Sequence, residues 1–183
     1  MRRIHVIGTS GSGKTTLARH LAALLGVPHV ELDAFQWQSD WTPLDKGVFR
    51  ERLAEALSGD GWVVDGNYFA YRDLTHARAD TIIWLDYPLP LVLWRVSVRT
   101  ARRIIARTEL WNGNHERLRS VFSRDSIILW ALTSYGRNRR RYRHLLINPG
   151  PDVAYLQIIR LRSPRAAAIW LRGLAVARAH PVH

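Results

Sequence analysis

The chain of 183 residues predicts a three-layer α/β domain on a parallel sheet. Three observations carry this reading. Short apolar runs alternate with segments whose apolar residues recur every three to four positions, which is strand alternating with helix. The runs are apolar on both faces, as in parallel strands covered above and below. The first run leads straight into Gly8-Thr9-Ser10-Gly11-Ser12-Gly13-Lys14-Thr15, which matches G-x-x-x-x-G-K-[ST] at every fixed position.

The elements follow in order. Residues 4–7 form the first strand, and Leu17, Leu21, Leu24 and Leu25 stripe a helix closed by Gly26 and Pro28. Residues 30–32 give a second strand ending at Asp33. Thr42-Pro43 reads as a cap and first turn, with Phe49, Leu53 and Leu57 on the helix that follows. Residues 62–65 and 82–86 are two further strands, each closing on an acid, with room between them for one short helix. After Pro88 and Pro90 a long helix is expected to bury Leu91, Trp94, Val98, Ala101 and Ile105. Arg95, Arg99, Arg102, Arg103 and Arg107 fall on its other side. A polar loop or lid is expected at about 108–126, with helix again from 121 to about 146. A break at Asn148-Pro149-Gly150-Pro151 precedes a last strand over 153–161 and a last helix opened by Ser163-Pro164. Most of the eight tryptophans are expected in the core, with Trp37 and Trp41 flanking the segment after Asp33.

Composition bounds the chemistry. With 47% apolar and 23% charged residues the chain is globular, and its length fits one domain over 1–183. There is no Cys, which excludes disulfides, thiolate zinc sites and a cysteine nucleophile. No apolar run approaches the roughly 20 residues of a membrane helix, and a cytoplasmic protein, monomer or homodimer, is expected. The net charge of +12 is uneven: residues 1–86 carry 9 basic and 11 acidic side chains, residues 87–183 carry 18 and 4. Arginine supplies 25 of the 27 basic residues, a choice that suits bidentate phosphate contacts and that a G+C-rich genome also produces.

The glycine-rich loop lies between a strand and a helix, the context in which backbone N–H groups and the helix dipole cradle a polyphosphate. Gly8, Ser10, Gly11, Ser12, Gly13, Lys14, Thr15 and Thr16 are therefore expected to hold ATP, with Lys14 reaching the β- and γ-phosphates and the Thr15 hydroxyl on Mg²⁺. Asp65 and Asp86, both at strand ends, are equal by position as the acid associated with that metal. Asp33, at the carboxyl edge of the sheet, is placed to accept a proton from a substrate hydroxyl, with Glu31 a weaker candidate. Arg99, Arg103, Arg119 and Arg124 flank the lid and would neutralise a transferring phosphoryl group.

These residues, with Glu31-Leu32-Asp33-Ala34-Phe35-Gln36-Trp37, Trp62-Val63-Val64-Asp65-Gly66-Asn67-Tyr68, Ala77-Arg78-Ala79-Asp80, Leu85-Asp86-Tyr87-Pro88, Trp94-Arg95 and Leu161-Arg162-Ser163-Pro164, resemble the bacterial P-loop proteins labelled topology modulation proteins. That group is similar to adenylate kinase and small-metabolite kinases, and the resemblance spans nearly the whole chain. It implies a nucleoside-monophosphate-kinase-like fold with five parallel strands and an arginine-rich helical lid. The strand ending at Asp65 would neighbour the one before the phosphate loop, which favours Asp65 over Asp86. It also implies that Arg162 and Ser163 lie near the adenine. Asn67-Tyr68 stands where adenylate kinases continue with an arginine that binds the acceptor phosphate. Either Arg72 or Arg78 replaces that arginine, or the acceptor is not a nucleoside monophosphate.

The expected function is an ATP- and Mg²⁺-dependent phosphotransferase acting on a small acceptor: a nucleotide, a nucleoside or a hydroxylated metabolite. The competing class is a nucleic-acid-associated ATPase or regulator that uses the basic half, in which Arg137–Arg143 interleave with Tyr135 and Tyr142. A toxin-like kinase acting on a nucleotide sugar or an RNA end shares the site of the first.

Overall fold

The computed structural model describes residues 1–106, 108–114, 126–148 and 153–179. Its strands are β1 (Arg3–Gly8), β2 (His29–Glu31), β3 (Trp62–Asp65), β4 (Thr81–Leu85) and β5 (Gln157–Leu161). They form one five-stranded sheet in the order β2-β3-β1-β4-β5, and every adjacent pair is parallel. The helices are α1 (Lys14–Leu25), α2 (Leu32–Gln36), α3 (Lys46–Ala56), α4 (Arg72–Arg78), α5 (Leu89–Ile105), α6 (Ile127–Ile147) and α7 (Pro164–Ala179).

Alternation along the strands builds two cores. Ile4, Val6, Val63, Ile83 and Leu85 face one way and meet Leu17, Ala18 and Leu21 of α1 and Ala167 of α7. Ile7, Trp62, Val64, Ile82 and Trp84 face the other way and meet Phe49 and Leu53 of α3, Tyr71, and Tyr142 of α6. Each side chain of this kind contributes about 1.5–3 kcal/mol when fully buried, so the central strands are secured from both faces. Among the described residues no helix is long and apolar enough to cross a membrane.

Several boundaries differ from the sequence reading. The helix after residue 42 is capped by Asp45, whose Oδ1 accepts from the N–H groups of Gly47 and Val48, and not by Thr42, which closes a turn onto Ser39. The second strand ends at Glu31, and Asp33 sits in the first turn of α2, because the chain coils as soon as β2 ends. The last strand begins at Gln157; residues 153–155 make a turn that buries Val153.

The largest correction concerns α5. Its buried ridge is Val92, Val96 and Thr100, whereas Trp94 is 68% and Ile105 83% exposed. The ridge lies on the glycine-rich loop: a Cβ on Gly11 would stand 2.8 Å from Val92 O and 3.1 Å from Val96 Cβ. Arg95, Arg99 and Arg103 share this side and are half-buried, so much of the face expected in solvent is turned toward the loop. Trp130 is likewise exposed rather than core, and Trp41, set apart from the core in the sequence reading, is exposed as well.

Truncating Val96 to Ala is expected to cost about 2 kcal/mol, the scale of deleting two buried methyl groups and leaving their cavity. Trp94→Ser is expected to stay within about 0.5 kcal/mol, as at an ordinary surface position. Urea midpoints of the two variants check this, and a larger loss for Trp94→Ser would restore the face read from sequence.

Candidate functional site

Gly8 pairs with Leu85 of β4, and Val6, two residues earlier, pairs with Asp65 of β3. The loop after β1 therefore leaves the sheet between β3 and β4, where the strand order reverses and open α/β sheets bind ligands. Gly8 admits no side chain, since a Cβ would lie 2.8 Å from both Leu85 O and Ser12 Oγ. The Ser12 N–H donates to Thr9 O at 3.0 Å and closes the turn. The α1 helix then opens at Lys14 with Gly13 as a left-handed cap, with no capping side chain and no acid in its first turn. Its free N–H groups and dipole are thus left for an anion. Ser12 is buried and its hydroxyl has no partner among the described residues; Ser10 is half-buried and Thr16 is exposed.

Lys14 Nζ donates to Thr9 O at 3.4 Å. Burial holds its ammonium below the ordinary range, opposed by the carboxylates of Asp33, Asp65 and Glu31 and reinforced by Arg99. Arg95 also lies at the loop: a Cβ on Gly13 would be 3.4 Å from its Nη2.

The three acids have different partners. Asp65 is buried; its Oδ2 accepts from Thr15 Oγ1 at 2.7 Å and its Oδ1 from His29 Nε2 at 3.0 Å. Glu31 Oε1 lies 3.4 Å from the same threonine hydroxyl, and its Oε2 is 3.6 Å from Arg19. Burial and the neighbouring Asp65 raise the Glu31 pKa, and a hydrogen bond from Trp111 opposes them. Asp33 Oδ1 accepts from Tyr68 Oη at 2.7 Å. The Tyr68 hydroxyl is pushed far up, by burial first and then by Asp33, so it stays a donor. Asp86, equal to Asp65 by position, is committed elsewhere: Arg139 Nε donates to it at 2.8 Å and Arg160 Nε at 2.9 Å.

Residues 108–114 lie against the turn after α2. Asn112 Nδ2 donates to Trp37 O at 2.5 Å, Asn114 Nδ2 donates to Gln38 O at 2.7 Å, and Trp41 N–H donates to Asn114 Oδ1 at 2.8 Å. The first part of the expected lid is thus fastened to the segment after α2. Its remaining residues 115–125, with Arg119 and Arg124, lie outside the described residues, as does Arg107.

Lys14, Thr15, Asp33, Asp65, Glu31 and Arg99 therefore meet at one edge. Arg103 is half-buried on the inward side of α5. Arg162 is exposed, and Ser163 Oγ accepts from Ala166 N–H at 3.1 Å, capping α7. Arg78 donates to Ser58 O at 2.8 Å, and Arg72 acts on His76. The sequence reading assigned no role to His29, Asn67, Tyr68, Trp111 or Asn114. For Asn67 and Tyr68 a signal existed, since only Gly66 separates the pair from the strand-end acid. Asn114 had none, because the partners through which it joins the segment after α2, Gln38 and Trp41, are more than 70 residues away.

Residues 4–86 match the model of the ATPase family associated with various cellular activities (AAA). An uncharacterized protein of Bacillus subtilis strain 168, YqaC, is 26% identical over 104 residues; the match spans 56% of this chain and 58% of that protein. Among solved structures, the shikimate kinase of Acinetobacter baumannii in complex with shikimate superposes with a TM-score of 0.55 at 17% identity, covering 100% of this chain and 96% of that one. A gluconokinase of Sinorhizobium meliloti 1021 gives 0.50 at 19% identity, covering 100% and 98%. The three-layer fold with its five-stranded parallel sheet is shared with these two solved structures.

Beneath the site, His5 Nε2 donates to Gly66 O at 2.9 Å, and its ring centroid is 5.4 Å from that of His76. Burial, then the adjacent His76 and the charge of Lys14, hold His5 down to about 3, against Asp65 and the Gly66 hydrogen bond. Burial and Arg72 hold His76 down to about 4. In the unfolded chain both take protons near 6.5, so the folded state binds fewer protons below that value. Their contribution is complete above pH 6.5 and is lost as pH falls toward 4. His5→Gln, which can still donate to Gly66 O, is expected to reduce the slope of unfolding free energy between pH 6.5 and 4 by about one proton. Urea titrations across that range check it, and an unchanged slope would assign the acid sensitivity to other groups.

Proposed function

We propose that this protein is an ATP- and Mg²⁺-dependent phosphotransferase that passes the γ-phosphoryl group to a hydroxyl of a small acceptor. The observation that carries the reading is the convergence, at one sheet edge, of an uncapped phosphate loop, the Thr15–Asp65 pair and the Asp33–Tyr68 pair. The unpartnered, buried Ser12 hydroxyl supports it. Thr15, Asp65 and Glu31 are hard oxygen donors, the set that suits Mg²⁺ held by few protein groups together with phosphates and water. Such an ion would neutralise charge on the β- and γ-phosphate oxygens.

In this reading the loop N–H groups from Ser10 to Thr16, apart from that of Ser12, which Thr9 O holds, bind the polyphosphate together with the Lys14 ammonium. Arg95, Arg99 and Arg103 of α5 neutralise the transferring group, with Arg124 of the lid as a further candidate. Arg162 and Ser163 follow the sheet edge on the adenine side. Asp33 takes the proton of the acceptor hydroxyl through Oδ2, its Oδ1 being held by Tyr68. The acceptor oxygen bonds to the γ-phosphorus while the bond to the β–γ bridging oxygen breaks, and ADP leaves with that electron pair. The motifs of the sequence, Trp62-Val63-Val64-Asp65-Gly66-Asn67-Tyr68 among them, carry a finer proposal, assignment to the topology-modulation group as one domain over 1–183.

A second reading, binding of nucleic acid by the basic half, has one specific support. Arg137, Arg140, Arg141 and Arg143 are exposed on α6, with Arg137 over the exposed Trp130 ring and Arg141 over Phe69.

ATP consumption with Mg²⁺, screened against nucleoside monophosphates, nucleosides, hydroxylated metabolites and short nucleic acids, separates the two readings. One small acceptor is expected to stimulate turnover, Lys14→Ala to lower it by about 10²-fold or more, and Asp33→Asn to lower kcat about 10²-fold with the KM for ATP kept. Stimulation by nucleic acid alone, falling steeply with salt, would reject the phosphotransferase reading.

A further inference from the structure

We infer that Asn67 is the positioning residue of the phosphate loop: its side-chain amide replaces a missing strand residue against Gly8 and holds the first turn of the loop in shape. This rests on the proposed function for its consequence in nucleotide binding, and on geometry alone for its effect on the loop.

The β1–β3 ladder runs from Arg3↔Trp62 to Val6↔Asp65, and Gly66 N–H still donates to Val6 O at 3.3 Å. Beyond that point the backbone of β3 turns away, while β1 continues to Gly8. Both main-chain groups of Gly8 are met by one side chain: Gly8 N–H donates to Asn67 Oδ1 at 3.2 Å, and Asn67 Nδ2 donates to Gly8 O at 2.6 Å. This is the donor and acceptor pair that another strand residue would have offered, and a primary amide supplies both. The orientation of the amide is set from outside, because Tyr142 Oη of α6 donates to Asn67 Oδ1 at 2.7 Å. With two donors on the oxygen, the NH₂ is left for Gly8 O.

Gly8 is where the loop leaves the sheet, so an error there displaces every amide that follows it. The constraint on Gly8 comes from β4 on one side and from Asn67 on the other. Tyr142 fastens α6 to this point, and Arg139, one turn earlier on the same helix, fastens it to Asp86 beside Leu85. The arginine-rich helix is thereby tied to both flanks of the loop base.

The test compares Asn67→Ala, Asn67→Asp and Tyr142→Phe with wild type and with Lys14→Ala. Hydrogen exchange of the ligand-free protein is read for residues 8–14 and for β5 and α7. Exchange at 8–14 is expected to rise about tenfold in both Asn67 variants, the loss of a buried hydrogen bond, and less in Tyr142→Phe, with β5 and α7 unchanged. Affinity for ATP with Mg²⁺ is read at pH 7.5. Relative to wild type, Asn67→Asp is expected to bind about tenfold more weakly, because the carboxylate faces Gly8 O. Unchanged exchange at 8–14, equal loosening of β5 and α7, or an Asn67→Asp affinity equal to that of wild type would overturn the proposal. If wild type binds no ATP, the phosphotransferase reading fails while exchange still decides the clamp.

Discussion

The register of β1 against β3 is the constraint on which the site depends. Pairing Val6 with Asp65 sets Asp65 beside the first turn of α1, where Thr15 reaches it at 2.7 Å. Four consecutive residues then address four different parts of the edge. Asp65 holds Thr15, Gly66 O receives His5, Asn67 spans Gly8, and Tyr68 orients Asp33. A slip of one residue in this ladder would send each of those side chains to the opposite face of the sheet.

Charge is distributed to match. The acids of the edge come from the first half of the chain, and α5 turns Arg95, Arg99 and Arg103 from the basic half toward them. The remaining cations of that half are partly neutralised in place, as where Arg139 and Arg160 share Asp86. A desolvated lysine among three carboxylates is held in balance by this opposition.

The order of strands and helices was legible because each run is long enough to show its period, and the phosphate loop because its residues are contiguous. Asp65 and Asp86 were not separable by position, since both end strands that flank β1; their distant partners, Thr15 for one and Arg139 with Arg160 for the other, distinguish them. The face of α5 was misread for a physical reason. Amphipathic patterning assumes that a charged side meets water, whereas here half-buried arginines line a loop built for anions and Trp94 is left outside. Asn67 and Tyr68 stood in plain view beside Asp65, but what they touch lies 59 and 35 residues away.

The contacts that Asn112 and Asn114 make with the segment after α2 end on main-chain atoms: the carbonyls of Trp37 and Gln38 and the N–H of Trp41. The attachment between these two distant stretches is therefore indifferent to which side chains occupy positions 37 and 38. Natural or engineered variation there can change the chemistry of that surface while leaving the attachment intact, so the two properties can evolve as separate traits.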